Sequence, residues 1–577
     1  MRAFFSLTFF CLIASIRLTA QSTPAKDSST NQQYIIDDSV LIKTRDGAHI
    51  SALVVRKAGL TAPQPTILFF TIYARTTDIK KAIAAVNNGY VGIVAYTRGK
   101  RYSPDAIVPY EHEGADAYDV IDWIAHQSWS NGKVGMYGGS YSGFVQWAAT
   151  KHLHPALKTI VPSASAAPGL DVPMTNNVFM SFPFPWIYYT TNNKWLDTAD
   201  YNSRHWGDVY ERWFEEGRSY RALDTLAGRP GNAIFQRWLD HPTYDQYWQS
   251  MIPYQQDFAR INIPVLTTTG YYDGGQPGAT YYLREHLKYN PNAQHYFLIG
   301  PYGHFGSQGY PDSVYINYPI DPVANIPIHA IIYQWFDYIL KGGPKPALLK
   351  DYINFEVMGA NEWKHVPTLK QMSNHTLRLY LTPDNKRAHH LLSPQRPLQQ
   401  QAVSQQIDFT DRTSRRSYYY ANNIIYDTVF TNGLVYKTAP LQEPMQITGR
   451  FTGEIIASIN KKDMDYSIAL FEQMPDGRYF YLSYYMGRAS FARSNTKRQL
   501  LTPGRKETIP FDNSYITGRQ LSKGSRIVAI VNINKSPFEQ INYGTGRDVN
   551  TETIKDAGAP LHVQWYNSSY LDIPVWK

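Results

Sequence analysis

The chain has 577 residues, 43% of them hydrophobic and 18% charged, the composition of an ordinary soluble globular protein with room for two or three domains. Its formal charge of +9 comes from scattered residues (Lys57, Lys80, Lys81, Lys100, Arg101, Arg415, Arg416, Lys497, Arg498) with no long basic run, so a basic surface is expected rather than a nucleic-acid groove. The 45 tyrosines and 13 tryptophans fit core and half-buried strand positions better than base-stacking platforms.

Met1-Arg2, the apolar run from Ala3 to Ile16 and then Leu18-Thr19-Ala20 read as a secretory signal peptide over residues 1–20, cleaved near Ala20. A secreted or periplasmic protein is therefore expected. Cys11, the only cysteine, lies inside this segment, so the mature chain has neither disulfide nor thiolate chemistry. No later stretch is apolar for long enough to cross a bilayer, and stable membrane insertion is not expected.

After a polar segment, Val40 to Lys43 and His49 to Arg56 read as a hairpin turned at Asp46-Gly47. Thr66 to Thr71 and Val91 to Tyr96 are short apolar runs separated by a helical pattern from Asp78 to Asn88, and a second helix is expected over Gly114 to Gln127. This alternation predicts an α/β domain over residues 34–162 and 255–345. It is interrupted at 163–254 by an insertion dense in Trp, Tyr, Phe and Pro, with helical spacing in Val209 to Glu216 and Ala233 to Asp240. An insertion of that length is expected to form a substructure of its own, a helical cap over the sheet. Residues 350–577 change to short alternating strands, such as Leu377 to Leu381 and Ile527 to Ile533, with turns including Pro475-Asp476-Gly477, the pattern of a β-sandwich.

The chemistry centres on K-V-G-M-Y-G-G-S-Y-S-G, Lys133 to Gly143. An apolar strand runs into Gly138-Gly139-Ser140, and Phe144, Val145, Trp147, Ala148 and Ala149 follow at helical spacing. Such a strand–turn–helix can be an ordinary tight connection or a nucleophile elbow, which lifts a serine hydroxyl above the sheet and aims the next N–H, that of Tyr141, at the oxygen of an attacked carbonyl. A serine nucleophile needs a base and an orienting carboxylate at the ends of later strands. Ile263 to Thr269 leads into Gly270-Tyr271-Tyr272-Asp273, and His295 to Ile299 leads into Gly300-Pro301-Tyr302-Gly303-His304. The order Ser140, Asp273, His304 is that of an α/β-hydrolase.

G-M-Y-G-G-S-Y-S-G-F-V-Q-W, G-Y-Y-D-G and G-P-Y-G-H, together with Y-T-R-G at Tyr96, W-S-N-G-K-V-G at Trp129, H-P-T-Y-D-Q-Y-W at His241 and F-E-V-M-G-A-N-E-W at Phe355, resemble the family of cocaine esterase, α-amino-acid ester hydrolase, glutaryl-cephalosporanic acid acylase and X-Pro dipeptidyl-peptidase. The resemblance covers nearly the whole mature chain. It implies an α/β-hydrolase domain with an inserted helical cap and a C-terminal jelly roll, Ser140 as nucleophile, His304 as base and Asp273 as its partner. It also implies a tyrosine hydroxyl as second oxyanion donor. Tyr73, in Thr71-Ile72-Tyr73, keeps that tyrosine but departs from the family's D-P-Y context, so a packing aromatic is the alternative. The carboxylates with which amino-acid ester hydrolases bind a substrate ammonium have no counterpart after Asp273, where Gly274-Gly275-Gln276-Pro277 follows, and Asp171 and Glu285 do not match them. A free amino group on the substrate is thus not required.

Phe182, Phe184 and Trp186, with Phe179, Tyr188 and Tyr189, either line an acyl pocket under the cap or form the cap's own core, and Tyr272 joins the pocket candidates. The sequence therefore predicts a serine hydrolase that cleaves a small ester or amide, or a short peptide, through an acyl-enzyme. X-Pro dipeptidyl-peptidase and α-amino-acid ester hydrolase or β-lactam acylase are the alternatives among enzymes, and a silent glycan- or protein-binding module is the alternative outside them. No cofactor is called for: there is no phosphate-binding loop, dinucleotide fingerprint or H-E-x-x-H, and His152/His154 and His389/His390 lack the flanking residues of a metal site.

Overall fold

The computed structural model describes residues 33–384, 386, 388–415, 423–429 and 431–576. The expected signal segment, with Cys11 and Ala20, lies outside these. Ten strands form one sheet: β1 (Tyr34–Lys43), β2 (His49–Lys57), β3 (Gln64–Thr71), β4 (Val91–Tyr96), β5 (Ser130–Gly139), β6 (Leu157–Ser163), β7 (Val265–Tyr272), β8 (His295–Gly303), β9 (Ile353–Val357) and β10 (Glu362–Val366). Their order is β1-β2-β4-β3-β5-β6-β7-β8-β9-β10. The pairs from β4 to β9 are parallel, and antiparallel pairs close both edges. Central strands of a parallel sheet are covered on both faces, and β4 is accordingly buried at every residue. Helices α1 (Ile79–Asn87), α2 (Glu113–Ala125) and α3 (Tyr141–Lys151) fall at the sites expected from their apolar spacing.

Residues 353–366 lie past the point at which the β-sandwich is expected to begin, yet they belong to this sheet. Phe297, Leu298 and Ile299 of β8 register with Ile353, Asn354 and Phe355 of β9, and β10 returns as a hairpin. An alternating run looks the same whether it ends one sheet or begins the next.

Between β6 and β7 the chain leaves the sheet to build a mainly helical cap, with α4 (Pro183–Thr191) followed by helices His205–Glu216, Ala233–Leu239 and Gln246–Met251. From His375 onward fourteen strands form the C-terminal β-domain, nearly all of them antiparallel, and Thr452–Ile459 pairs with three different strands along its length. Cap and β-domain are joined backbone to backbone. Ser181 N–H reaches the Phe538 carbonyl at 2.8 Å, Gln540 N–H the Phe179 carbonyl at 2.9 Å, Tyr244 N–H the Asn495 carbonyl at 2.9 Å and Ile554 N–H the Gly217 carbonyl at 2.8 Å. Among the described residues no helix is long and apolar enough to cross a membrane.

Candidate active site

Ser140 stands between β5 and α3 with φ 60° and ψ −122°, a conformation unfavourable for a side chain with a Cβ and characteristic of strained functional turns. Its neighbours make the turn possible. Gly138 has φ +137°, and a Cβ there would lie 2.7 Å from the Ser142 side chain; a Cβ on Gly143 would lie 2.9 Å from Ser165. The Ser140 N–H is tied to the Ser163 carbonyl at 3.0 Å and its carbonyl accepts from Phe144 N–H at 3.0 Å, so both sides of the turn are fixed. Tyr141 begins α3, and the first N–H groups of a helix have no intrahelical acceptor.

Asp273 follows the end of β7 and is fully buried. One carboxylate oxygen accepts from His304 Nδ1 at 2.7 Å and from Gly275 N–H at 2.8 Å; the other accepts from the Thr269 hydroxyl at 2.7 Å. These three donors satisfy the polar atoms of a carboxyl group that has no access to water. His304 follows the end of β8, and with Nδ1 committed to Asp273 it keeps Nε2 for chemistry.

Tyr73 lies just beyond β3, its N–H bonded to the Thr71 hydroxyl at 3.0 Å. Trp186 Nε1 donates to the Tyr73 hydroxyl at 2.9 Å, and Ser140 lines the same cavity. Burial raises the Tyr73 pKa against the bond from Trp186, so the phenol keeps its proton. With a lone pair taken by the indole, that proton is free to point away from Trp186.

Ser140, Tyr73, Asp273 and His304 line one cavity of about 340 Å³. Phe182, Trp186 and Tyr272 line it as well, whereas Phe184 does not. Helical spacing explains the division, since residues 182 and 186 share one face of α4. Phe184 lies on the opposite face, packed against Tyr188, Trp206 and Phe235 in the cap core. Asp171 also lines the cavity, while Glu285 pairs with Lys288 on an exposed helix face. The Asp171 carboxylate accepts from Ala167 N–H at 2.7 Å, and burial pushes its pKa well above the usual carboxylate range.

Sequence reasoning missed Tyr110, Tyr315, Tyr481, Ser483, Tyr484 and Tyr515, all on the cavity wall. The last four come from the β-domain, and nothing local in their sequence points to a site some 180–375 residues upstream. Glu113 was missed too. The Tyr141 hydroxyl donates to the Glu113 carboxylate and accepts from Tyr110 N–H at 3.2 Å, which pins the residue beside the serine from behind. Burial, first among the causes, lifts the Glu113 pKa to about 7.

An elbow serine, a histidine oriented by a buried carboxylate and a protonated phenol facing one apolar cavity can together carry out acyl transfer. Among the described residues no group of three or more His, Cys, Asp or Glu side chains is arranged to hold a metal ion. Residues 46–306 match the family model of X-Pro dipeptidyl-peptidase (S15 family), and residues 349–571 match that of the X-Pro dipeptidyl-peptidase C-terminal non-catalytic domain. The chain is 23% identical to the cocaine esterase of Rhodococcus sp. (strain MB1 Bresler), an alignment covering 94% of this chain and 99% of that one. Among solved structures, an aminopeptidase from a marine sediment archaeon, Thaumarchaeota archaeon, superposes with a TM-score of 0.79 at 20% identity, covering 98% of this chain and 100% of that one. An α-amino acid ester hydrolase superposes with a TM-score of 0.78 at 22% identity, covering 97% of this chain and 99% of that one.

Proposed function

Because the chain belongs to the family of serine hydrolases that includes X-Pro dipeptidyl-peptidases and cocaine esterase, we propose that it hydrolyses an ester or amide bond of a small substrate through an acyl-enzyme on Ser140. The observation that carries this reading is the convergence of Ser140, Tyr73, Asp273 and His304, from four separate segments, on one cavity wall. His304 Nε2 takes the Ser140 proton as Oγ bonds to the substrate carbonyl carbon, and the carbonyl electron pair moves onto oxygen. Asp273 holds the imidazole and stabilises its cation. Tyr141 N–H and Tyr73 O–H receive the oxyanion. Collapse of the intermediate expels the leaving group, which takes the proton from His304, and water repeats the sequence on the acyl-enzyme. The apolar run and cleavage site at residues 1–20 support action outside the cytoplasm.

The reading does not require a free amine on the substrate. Asp171 is the one observation in favour of the alternative, an aminoacyl ester or dipeptide substrate, because an ammonium entering the cavity would find its carboxyl group on the wall. Against this, burial disfavours the charged form of Asp171 and raises its pKa, which weakens it as a standing anion for an ammonium. One experiment tests both. A fluorophosphonate is expected to label the protein at Ser140, and Ser140→Ala should abolish labelling; labelling elsewhere in the folded chain would remove the triad assignment. On the same protein, esters paired with and without a blocked α-amino group should turn over at similar rates. A strong preference for the free amine would establish the alternative.

A further inference from the structure

Away from the catalytic cavity, a groove of about 630 Å³ runs between the α/β domain and the β-domain. Its wall carries Arg284 from helix α5 (Gln276–Tyr289), Lys370 from the short turn Leu369–Met372, and Arg450 at the end of strand Met445–Arg450. His375 adds a further imidazole, and Asp512 is the acidic residue on the wall. Arg284 takes that carboxylate, its Nη2 lying 3.2 Å from Asp512 Oδ2. Arg450 feels its charge but makes no hydrogen bond to it. Its Nη1 reaches only the backbone carbonyl of Asp512, at a long 3.3 Å, and its Nη2 is shielded from solvent with no acceptor among the described residues. Burial, and then the charge of Arg284, pull the Arg450 pKa down.

A guanidinium does not readily discard its proton, so a shielded one without a carboxylate partner is an electrostatic deficit that a native structure normally fills. Here two guanidiniums and an ammonium stand on a wall that carries a single carboxylate. A compact anion with several acceptor oxygens suits this geometry, because each guanidinium offers parallel N–H donors to a tetrahedral oxyanion. We propose that this groove is a binding site for a small inorganic oxyanion, phosphate or sulfate, held between Arg450 of the β-domain and Arg284 of the α/β domain. Lys370 and the Ser373 and Thr376 hydroxyls stand on the same wall as further donors. The anion relieves the repulsion between two cations on different domains and thereby ties the domains together.

The test is calorimetric titration of the full chain, as Ser140→Ala to keep turnover out of the signal, with sodium phosphate and with sodium sulfate, against sodium chloride at matched ionic strength. Saturable binding at about one anion per chain is expected for phosphate, sulfate or both and not for chloride, with a parallel rise in Tm. Arg450→Met should abolish it. Arg284→Gln, at a more exposed position that does not threaten folding, should weaken it at least about tenfold, the loss of one charge-assisted pair. No saturable heat with either oxyanion, equal heat with chloride, or unchanged affinity in folded Arg284→Gln would each overturn the proposal.

Discussion

At the scale of single residues, the site depends on side chains that aim other groups. Trp186 Nε1 occupies a lone pair of the Tyr73 hydroxyl and leaves its proton for another acceptor, in the proposed mechanism an oxyanion. Replacing Tyr73 by Phe keeps the ring and removes only the donor, so kcat is expected to fall on the order of 10²–10³-fold with KM little changed. A kcat within a few-fold of the parent would make Tyr73 a packing residue. Glu113 has a different signature. Its pKa rises from the ordinary 4.5 to about 7 in the fold, so between these values the native state keeps a proton that the unfolded chain has released. Stability contributed by this group is therefore full below about pH 4.5, declines as pH rises to about 7 and is lost above it, a change of a few kcal/mol at most. Comparing Tm against pH for the parent and Glu113→Gln should show the parent losing ground across that window; parallel curves would remove the assignment. Both residues were differently legible. Tyr73 was visible through resemblance alone, while Glu113 sits in an unremarkable helix start, and only the fold reveals the Tyr141 hydroxyl against it.

At the scale of elements, periodicity revealed what is local and missed what is assembled. The strands and helices around Ser140 follow from apolar spacing and turn glycines, and β4 falls at the bounds read from its apolar run. The cap aromatics were harder, because which of Phe182, Phe184 and Trp186 meets the cavity depends on the rotation of α4, and that is set by packing against Trp206 and Phe235. Lys100 holds this helix in place. Its buried ammonium donates to the carbonyls of Thr190 and Asn193, each at 2.8 Å, and of Trp195 at 3.3 Å, closing the C-terminal end of α4 with a positive charge. Lys100→Met should leave three carbonyls without their donor, destabilise the protein by about 2–4 kcal/mol and quicken proteolysis within residues 183–195. Cleavage there at the parental rate would show that α4 is held by its apolar face alone.

At the scale of the whole molecule, the cavity belongs to no single domain. The α/β domain brings Ser140, Asp273 and His304, the cap brings Phe182 and Trp186, and the β-domain brings Tyr481, Ser483, Tyr484 and Tyr515. The Tyr272 hydroxyl donates to the Tyr481 carbonyl at 3.0 Å across that boundary. Substrate preference should therefore respond to a change far from the triad. Tyr481→Ala is expected to lower kcat/KM for aryl-acyl esters about tenfold relative to acetyl esters, roughly the worth of one apolar wall. An unchanged ratio would mean that the acyl group lies elsewhere in the cavity. The seams between cap and β-domain bear on a separate matter, the order in which the molecule is made. The partners that clasp the cap, Asn495, Phe538, Gln540 and Ile554, are synthesised some 250–360 residues after the segments they hold. A nascent chain can finish its central sheet, elbow included, long before the cap has anything to close against. The cap thus stays unclasped on the ribosome until residue 554 has emerged, long after the segments that carry Ser140, Asp273 and His304 have been made.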